Sequence, residues 1–348
     1  MGSFSSLLME TIKLPTITVV TPTYNSERTL DRCLKLVRSQ DYPQKKIDII
    51  LGDGGSSDRT FEIAKKYHAK VIKIPFALQH AEYNRGVAFN RAKGEFVLIL
   101  DHDNFMPSKK YLMELIEPLL KHPELVASES CYYHYSKQYS LIDRYYALFG
   151  TSEPIPFYLR KADRLMQTSR RWNLQGESED YGNYYVVKFE QDPRKFPTIG
   201  TNGCLMRRKL VMDNADTRPD HHFPIDVMFD VVKSGHRKFA FVKNSLIHLT
   251  GSSGMIPFLS RRLKFMKKYH FEDHSRRRYS VYMPGDELNL VVFIVISITI
   301  VKPLIDSIKG YLKIRDVAWF LHPIMCLGTV IVYGLVTSDK FIHKILSK

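Results

Sequence analysis

Apolar strand-like runs alternate with helical patterns through the first hundred residues, and that alternation leaves few architectures open. The runs 16–21, 47–51, 71–74 and 96–100 are rich in β-branched residues, whereas Leu30, Cys33, Leu34 and Val37 recur at helical spacing and 81–92 forms a further helical stretch. The rhythm is βαβ. It predicts an α/β fold, a mixed and mostly parallel sheet flanked by helices. Ligands of such sheets bind at the carboxyl ends of strands. Three of the runs end in polar clusters there: Thr21-Pro22-Thr23-Tyr24-Asn25, Asp53-Gly54-Gly55-Ser56 and Asp101-His102-Asp103-Asn104.

Asp101 and Asp103 leave the apolar run 96–100 one residue apart, which puts both carboxylates on one face of an extended chain. Two hard oxygen ligands suit Mg²⁺ or Mn²⁺ bridging a diphosphate. A bare D-x-D is weak because loops favour Asp; its place after a buried strand is what gives it weight. Asp53 stands among glycines that permit close backbone approach and is read as facing a nucleoside. Ser57 or Asp58 then serves as a helix cap.

Residues 130–195, rich in Tyr, Arg and Pro with weak periodicity, suit a variable substrate-facing insertion better than core. Order returns at 198–207, 225–232 and 238–248 and completes the same domain. The four cysteines, Cys33, Cys131, Cys204 and Cys326, show no paired spacing, so neither a zinc site nor a disulfide framework is indicated.

The formal charge of +15 requires a negative partner, and its location decides which. Arg261, Arg262, Lys264, Lys267, Lys268 and Arg276 to Arg278 stand just before an apolar C-terminal region, which favours a membrane surface over nucleic acid. Residues 256–269 alternate apolar and basic in the pattern of a helix in the headgroup plane, with an ordinary basic surface helix as the alternative. Segments 288–305 and 317–336 approach the roughly 20 residues needed to cross a bilayer. Two membrane helices are expected; a re-entrant hairpin is the alternative, because Lys302, Pro303 and Asp306 interrupt the first. The N-terminus lacks a secretory signal pattern, so the catalytic part is expected in the cytoplasm. Residues 2–6 fit only a loose acylation pattern.

Val20-Thr21-Pro22-Thr23-Tyr24-Asn25, Asp53-Gly54-Gly55-Ser56-Ser57-Asp58, Arg85 before Ala92-Lys93-Gly94-Glu95, and Asp101-His102-Asp103 stand in an order and spacing that resembles the family 2 inverting glycosyltransferases. The resemblance runs over residues 16–250 and is most specific through Asp103. It implies the GT-A fold, with Thr21, Pro22, Tyr24, Asn25 and Asp53 around the nucleoside, Arg85 near the diphosphate, and Asp101 and Asp103 on the donor and its metal. Gly200-Thr201-Asn202-Gly203 followed by Asp226 is similar to the family's acceptor block, but Phe223-Pro224-Ile225-Asp226 stands where an acidic pair is expected. Asp226 is taken as the catalytic base, with His221 and His222 as runners-up and a helix-capping Asp226 as the alternative. His248 matches a family position that often ligates the metal, although a lone His is often structural. Gln167-x-x-Arg170-Arg171-Trp172 is similar to the Q-x-x-R-W of processive polysaccharide synthases, but it carries an extra residue and precedes the acceptor block, so it is not counted.

The expected protein transfers a sugar from a UDP- or GDP-sugar to a membrane-associated acceptor, such as a polyprenyl- or dolichyl-linked phosphate or saccharide. The rivals are an inactive membrane scaffold and a sugar nucleotidyltransferase. The expected organisation is an N-terminal extension (1–15), a catalytic domain (16–252), a basic interfacial segment (253–284), two membrane helices (285–338) and a basic cytoplasmic tail (339–348).

Overall fold

The computed structural model describes residues 14–251, 254–268 and 277–346; the acylation pattern at 2–6 and the basic Arg276 lie outside them. The chain begins with β1 (Ile17–Thr23), α1 (Glu27–Arg38), β2 (Ile47–Asp53), α2 (Thr60–Lys66), β3 (Lys70–Lys73), α3 (Ala81–Asn90) and β4 (Phe96–Ile99). This is the expected βαβ series. It continues through β5 (Asn104–Phe105), α4 (Tyr111–Lys121), β6 (Ala127–Tyr133), α5 (Leu141–Phe149), β7 (Glu177–Asp180), β8 (Tyr184–Lys188), β9 (Cys204–Arg207), α6 (Pro224–Lys233) and β10 (Lys238–His248). The C-terminal helices are α7 (Met255–Lys267), α8 (Glu287–Thr299), α9 (Val301–Lys313) and α10 (Leu321–Leu346).

The strands form one mixed sheet in the order β3-β2-β1-β4-β9-β6-β10-β8-β7, with β5 paired to β10 off that path. Strands β3, β2, β1 and β4 are parallel throughout, and β9 runs antiparallel between β4 and β6. Helices cover both faces, so β1 is buried at every position and shows no alternation. Val19 and Leu98 join Leu30, Cys33, Leu34 and Val37 of α1 in one core. Val20 and Val97 join Ala88 and Phe89 of α3 in the other.

Helix α3 approaches β2 at Gly52, where an added Cβ would stand 2.0 Å from the Asn84 carbonyl oxygen. Backbone cannot yield there without moving the helix that carries Arg85. Gly52→Ala is therefore expected to destabilise the protein by about 1–3 kcal/mol, the usual range for overpacking, and to lower activity with it. Thermal melts beside turnover assays check this; an unchanged melt would mean that α3 is free to shift.

The 130–195 stretch is more structural than its composition predicts. Strand β6 is almost wholly buried and β8 extends the sheet. Trp172 packs on Phe241 with ring centroids 4.5 Å apart. A strand covered on both faces carries no period-2 signal, which is why the segment reads as irregular.

Two C-terminal expectations are also revised. The segment 288–305 is not one straight helix: α8 and α9 meet at 74° across Ile300, whose φ is +62°. Pro303 is the physical reason, since its ring would clash with the carbonyl of residue 299 in a continuous helix. Among the described residues, one helical stretch, Val317–Thr337, is long and apolar enough by itself to cross a bilayer. On α7, Phe258 and Met266 are buried, with Leu259 and Leu263 packed beside them against α5 and α10. Its apolar side therefore faces protein, and Ile256 remains as the strongly exposed large apolar residue.

Candidate active site

The carboxyl ends of β1, β2 and β4 open on one rim, where Pro22, Thr23, Tyr24, Gln79, Asn84, Asp101, His102 and Asp103 line a cleft of about 250 Å³. Tyr24 stands at its mouth, 6.0 Å from the exposed Phe76 ring. Thr21 lies beneath, fully buried. Asn25 and Asp53 tie loops together: the Asn25 side-chain oxygen accepts from the Ser57 amide at 2.8 Å. Asp53 is fully buried, and its carboxylate accepts from the Thr23 hydroxyl (2.7 Å), the Gly55 and Ser56 amides (3.0 and 2.8 Å) and the Ser56 hydroxyl (2.6 Å). Asp53 thus shapes the loop beside the cleft. Asp58 serves structure as well, accepting from the Thr60 and Glu27 amides and so joining α2 to α1.

Arg85 meets the rim through Asp101. One guanidinium nitrogen lies 2.9 and 3.0 Å from the two Asp101 oxygens, and another pairs with Glu82. Burial raises the Asp101 carboxyl, but Arg85, aided by His102 and His248, more than offsets this and holds it below the usual carboxylate range. Glu82, more deeply placed, is pushed up by burial.

Asp103 and His248 come together although 145 positions separate them. Strand β5 pairs Asn104 with His248, and the Leu249 amide donates to the Asp103 carbonyl at 3.1 Å. The His248 Nε2 stands 3.8 Å from an Asp103 carboxylate oxygen, beyond hydrogen-bonding distance. Two ligands about 2.1 Å from one small cation stand about 3.0 Å apart at right angles and about 4.2 Å apart in line, so this spacing suits a shared ion. Asp101 is turned to Arg85 instead, and among the described residues no three His, Cys, Asp or Glu groups cluster for metal binding.

Beyond His248 the rim continues into a cavity of about 210 Å³ lined by Tyr133, Asp163, Asn202, His248, Arg262 and Arg277, among others. Of these, Tyr133 and Asp163 are residues that the sequence did not single out. Asn202 donates to the Tyr133 hydroxyl at 2.9 Å, and that hydroxyl donates to Asp163, whose carboxyl burial pushes up. Behind them Arg164 pairs with Glu129, which also accepts from the Gly200 amide at 2.7 Å. Arg262 pairs with Glu153.

Asp226 opens α6 but is fully buried, bound by the Arg277 guanidinium at 2.9 to 3.2 Å and the Arg278 amide at 2.8 Å. Arg277, not Asp226, faces the cavity. His222 is buried against Phe89, and burial lowers it to about 3, so it stays neutral near pH 7. His221 faces Asp216 at 2.8 Å.

The family described as Glycosyl transferase family 2 matches residues 18–211. Among curated relatives, the poly(ribitol-phosphate) β-N-acetylglucosaminyltransferase TarS of Staphylococcus aureus is 34% identical over 95 residues, covering 25% of this chain and 16% of that one. The dolichyl N-acetyl-α-D-glucosaminyl phosphate 3-β-D-2,3-diacetamido-2,3-dideoxy-β-D-glucuronosyltransferase of Methanococcus voltae is 31% identical over 108 residues, covering 29% and 33%. The matches thus span about a sixth to a third of these relatives' lengths. Among solved structures, the mannosyltransferase PcManGT from Pyrobaculum calidifontis, in complex with GDP-Man and Mn²⁺, is 16% identical with a TM-score of 0.48, covering 94% of this chain and 80% of that one. Because the family match runs from the first strand through the D-x-D and the Gly-x-Asn loop, over more than half the chain, this protein belongs to glycosyl transferase family 2 and has the GT-A fold.

Proposed function

We propose that the protein carries out metal-dependent, inverting transfer of a sugar from a nucleotide-sugar to a lipid-linked acceptor at a membrane surface. The observation that carries this reading is the junction of the strand-end cleft with the Asp103 and His248 pair. Nucleoside and diphosphate lie along β1, β2 and β4, with Tyr24 against the base. Asp103 and His248 would hold Mg²⁺ or Mn²⁺, which would supply positive charge for the departing diphosphate. Arg85 fixes Asp101 so that the rim keeps its shape.

The acceptor enters the cavity beside Asn202. Its oxygen attacks the anomeric carbon from the face opposite the diphosphate, the new C–O bond forming as the old one breaks and its electron pair leaves with the nucleoside diphosphate. A hydroxyl acceptor gives its proton to Asp226 after Arg277 moves aside. Asp163 is a second reading for the base, favoured by its place in the cavity wall. The sequence match with a transferase of dolichyl-phosphate-linked sugar, together with the apolar stretch Val317–Thr337, supports a membrane acceptor.

The test is nucleoside diphosphate release by detergent-purified protein across UDP- and GDP-sugars, with Mg²⁺ or Mn²⁺ and with or without polyprenyl phosphate. Release from one donor, stimulated by the lipid and abolished by EDTA, is the expected result; a metal-independent rate would remove the ion from the scheme. Asp226→Asn is expected to lower kcat at least about 100-fold, within the range for a positioned base, and also to lower the melting temperature, because it takes the countercharge from Arg277. Loss in Asp163→Asn alone would move the base there. Full activity in both would indicate a phosphate acceptor, which is already ionised.

A further inference from the structure

A large cavity lies away from the proposed sugar-transfer site. It measures about 900 Å³, within the range of ligand sites, and stands between residues 166–173 and α9. Arg170, Arg171, Lys309 and Lys313 line it together with Phe157, Met166 and Asp306. Lys309 and Lys313 are four residues apart on one helical face, where like charges repel. Among the described residues, no carboxylate lies within ion-pairing distance of these four cations. The one acid in the lining, Asp306, is already paired with Lys302 and accepts from the Tyr158 hydroxyl at 3.1 Å.

Three sides of α9 have separate uses. Pro303, Ser307 and Gly310 are buried, and a Cβ on Gly310 would meet the Trp319 ring at 2.4 Å, so the helix cannot withdraw or roll without losing that contact. Asp306, Lys309 and Lys313 face the cleft. Val301, Leu304, Ile305, Ile308 and Leu312 are exposed, continuous in sequence with Val291, Val292, Val295 and Ile298 of α8. So much exposed apolar surface requires lipid or protein cover. Cations beside an apolar flank match the boundary where headgroup meets hydrocarbon. Gln167 and Trp172 do not contribute their polar groups, since Gln167 donates to the Tyr133 carbonyl and Trp172 to the Gln175 carbonyl.

We propose that this cleft binds the anionic phosphate headgroup of a membrane lipid, with Arg170 and Arg171 on one wall, Lys309 and Lys313 on the other, and the α8–α9 flank in the acyl region. The site deepens the membrane-acceptor reading and rests on it. Phe157, Met166 and Asn173 also line a neighbouring cavity of about 380 Å³ that reaches Arg164. Asp163, the next residue, lines the acceptor cavity, so a lipid seated here lies alongside the acceptor's approach.

The test uses the full chain in dodecylmaltoside micelles, titrated separately with polyprenyl phosphate, phosphatidylglycerol, phosphatidylcholine and inorganic pyrophosphate, with binding read by thermophoresis. Donor hydrolysis to water is measured on the same samples. The expected result is saturable binding of one or both anionic lipids, weakened at least tenfold in Arg170→Ala/Arg171→Ala and in Lys309→Ala/Lys313→Ala. Arg170→Lys/Arg171→Lys retains it, and basal donor hydrolysis is unchanged in all three. Pyrophosphate binding as tightly as the lipids would make this a soluble-anion site and overturn the proposal. Anionic lipid binding indifferent to the alanine pairs, or equal binding of phosphatidylcholine, would overturn it too. Headgroup binding without nucleoside diphosphate release from any donor, with or without lipid, would instead leave this site standing and sink the transferase scheme.

Discussion

On the proposed scheme, Asp103→Asn is expected to lose at least about 100-fold in sugar transfer while the protein folds normally, because it removes the carboxylate from the proposed pair of metal donors. The structural cost is small. Asp103 is partly exposed, and one carboxylate oxygen accepts from the adjacent Asn104 amide at 2.8 Å, a bond that an Asn oxygen can retain. His248→Gln should lose less and recover as metal concentration rises, because the carboxylate remains to draw the ion back. Nucleoside diphosphate release measured across a Mn²⁺ titration separates the cases. Wild-type protein stripped by EDTA should be silent and regain its rate on metal addition. A rate for Asp103→Asn within threefold of wild type at every concentration would take Asp103 out of metal binding.

Arg164→Met is expected to be the most damaging of these changes to stability. Arg164 is entirely buried, and it pairs with Glu129, donates to the Asp163 carbonyl at 2.8 Å and donates to the Asn202 carbonyl at 2.7 Å. Removing it strands a buried carboxylate at a cost of about 3–5 kcal/mol, a fall of roughly 6–15 °C in melting temperature. The loss has a pH signature. Burial already raises the Glu129 carboxyl, and Arg164 opposes that rise; without the guanidinium the folded-state value climbs further above the unfolded one. A group whose folded pKa is raised is stabilising in its protonated form, and that contribution disappears as pH rises through the folded value. The variant should therefore melt closer to wild type at pH 5 than at pH 8. Glu129→Gln/Arg164→Met should recover much of the difference, whereas a pH-independent deficit would place the cost in lost packing.

The polar clusters at the strand ends were legible because Thr21, Asp53 and Asp101 each stand at or just past an apolar strand, whereas Arg85 lies inside α3. Leu30, Cys33, Leu34 and Val37 announced a buried helical face, and all four are buried. The meeting of Asp103 with His248 was not legible as geometry, since it depends on β5, a strand of two residues too short to carry any periodicity. Glu129 was hidden for a different reason. Ala127–Tyr133 reads Ala-Ser-Glu-Ser-Cys-Tyr-Tyr, a polar string whose burial follows from its neighbours in the sheet and from Arg164, which is 35 positions away. Likewise, hydropathy saw one segment at 288–305, while Pro303 and the left-handed Ile300 made two helices of it. Long-range pairing and backbone direction are tertiary properties, and local pattern carries neither.

Strand β9 runs against β4, pairing Cys204 with Ile99, and the Gly203 amide donates to the Ile99 carbonyl at 2.8 Å. An antiparallel neighbour delivers its entrance where β4 delivers its exit. The loop 200–203 therefore arrives beside Asp101 and Asp103 however many residues intervene between β4 and β9. Length changes in that stretch are not transmitted to the register of the rim. If the proposed scheme holds, recognition of the acceptor is free to diverge by insertion and deletion while the chemistry of the leaving group stays fixed, so that new products could arise on this sheet without relearning how to cleave the donor.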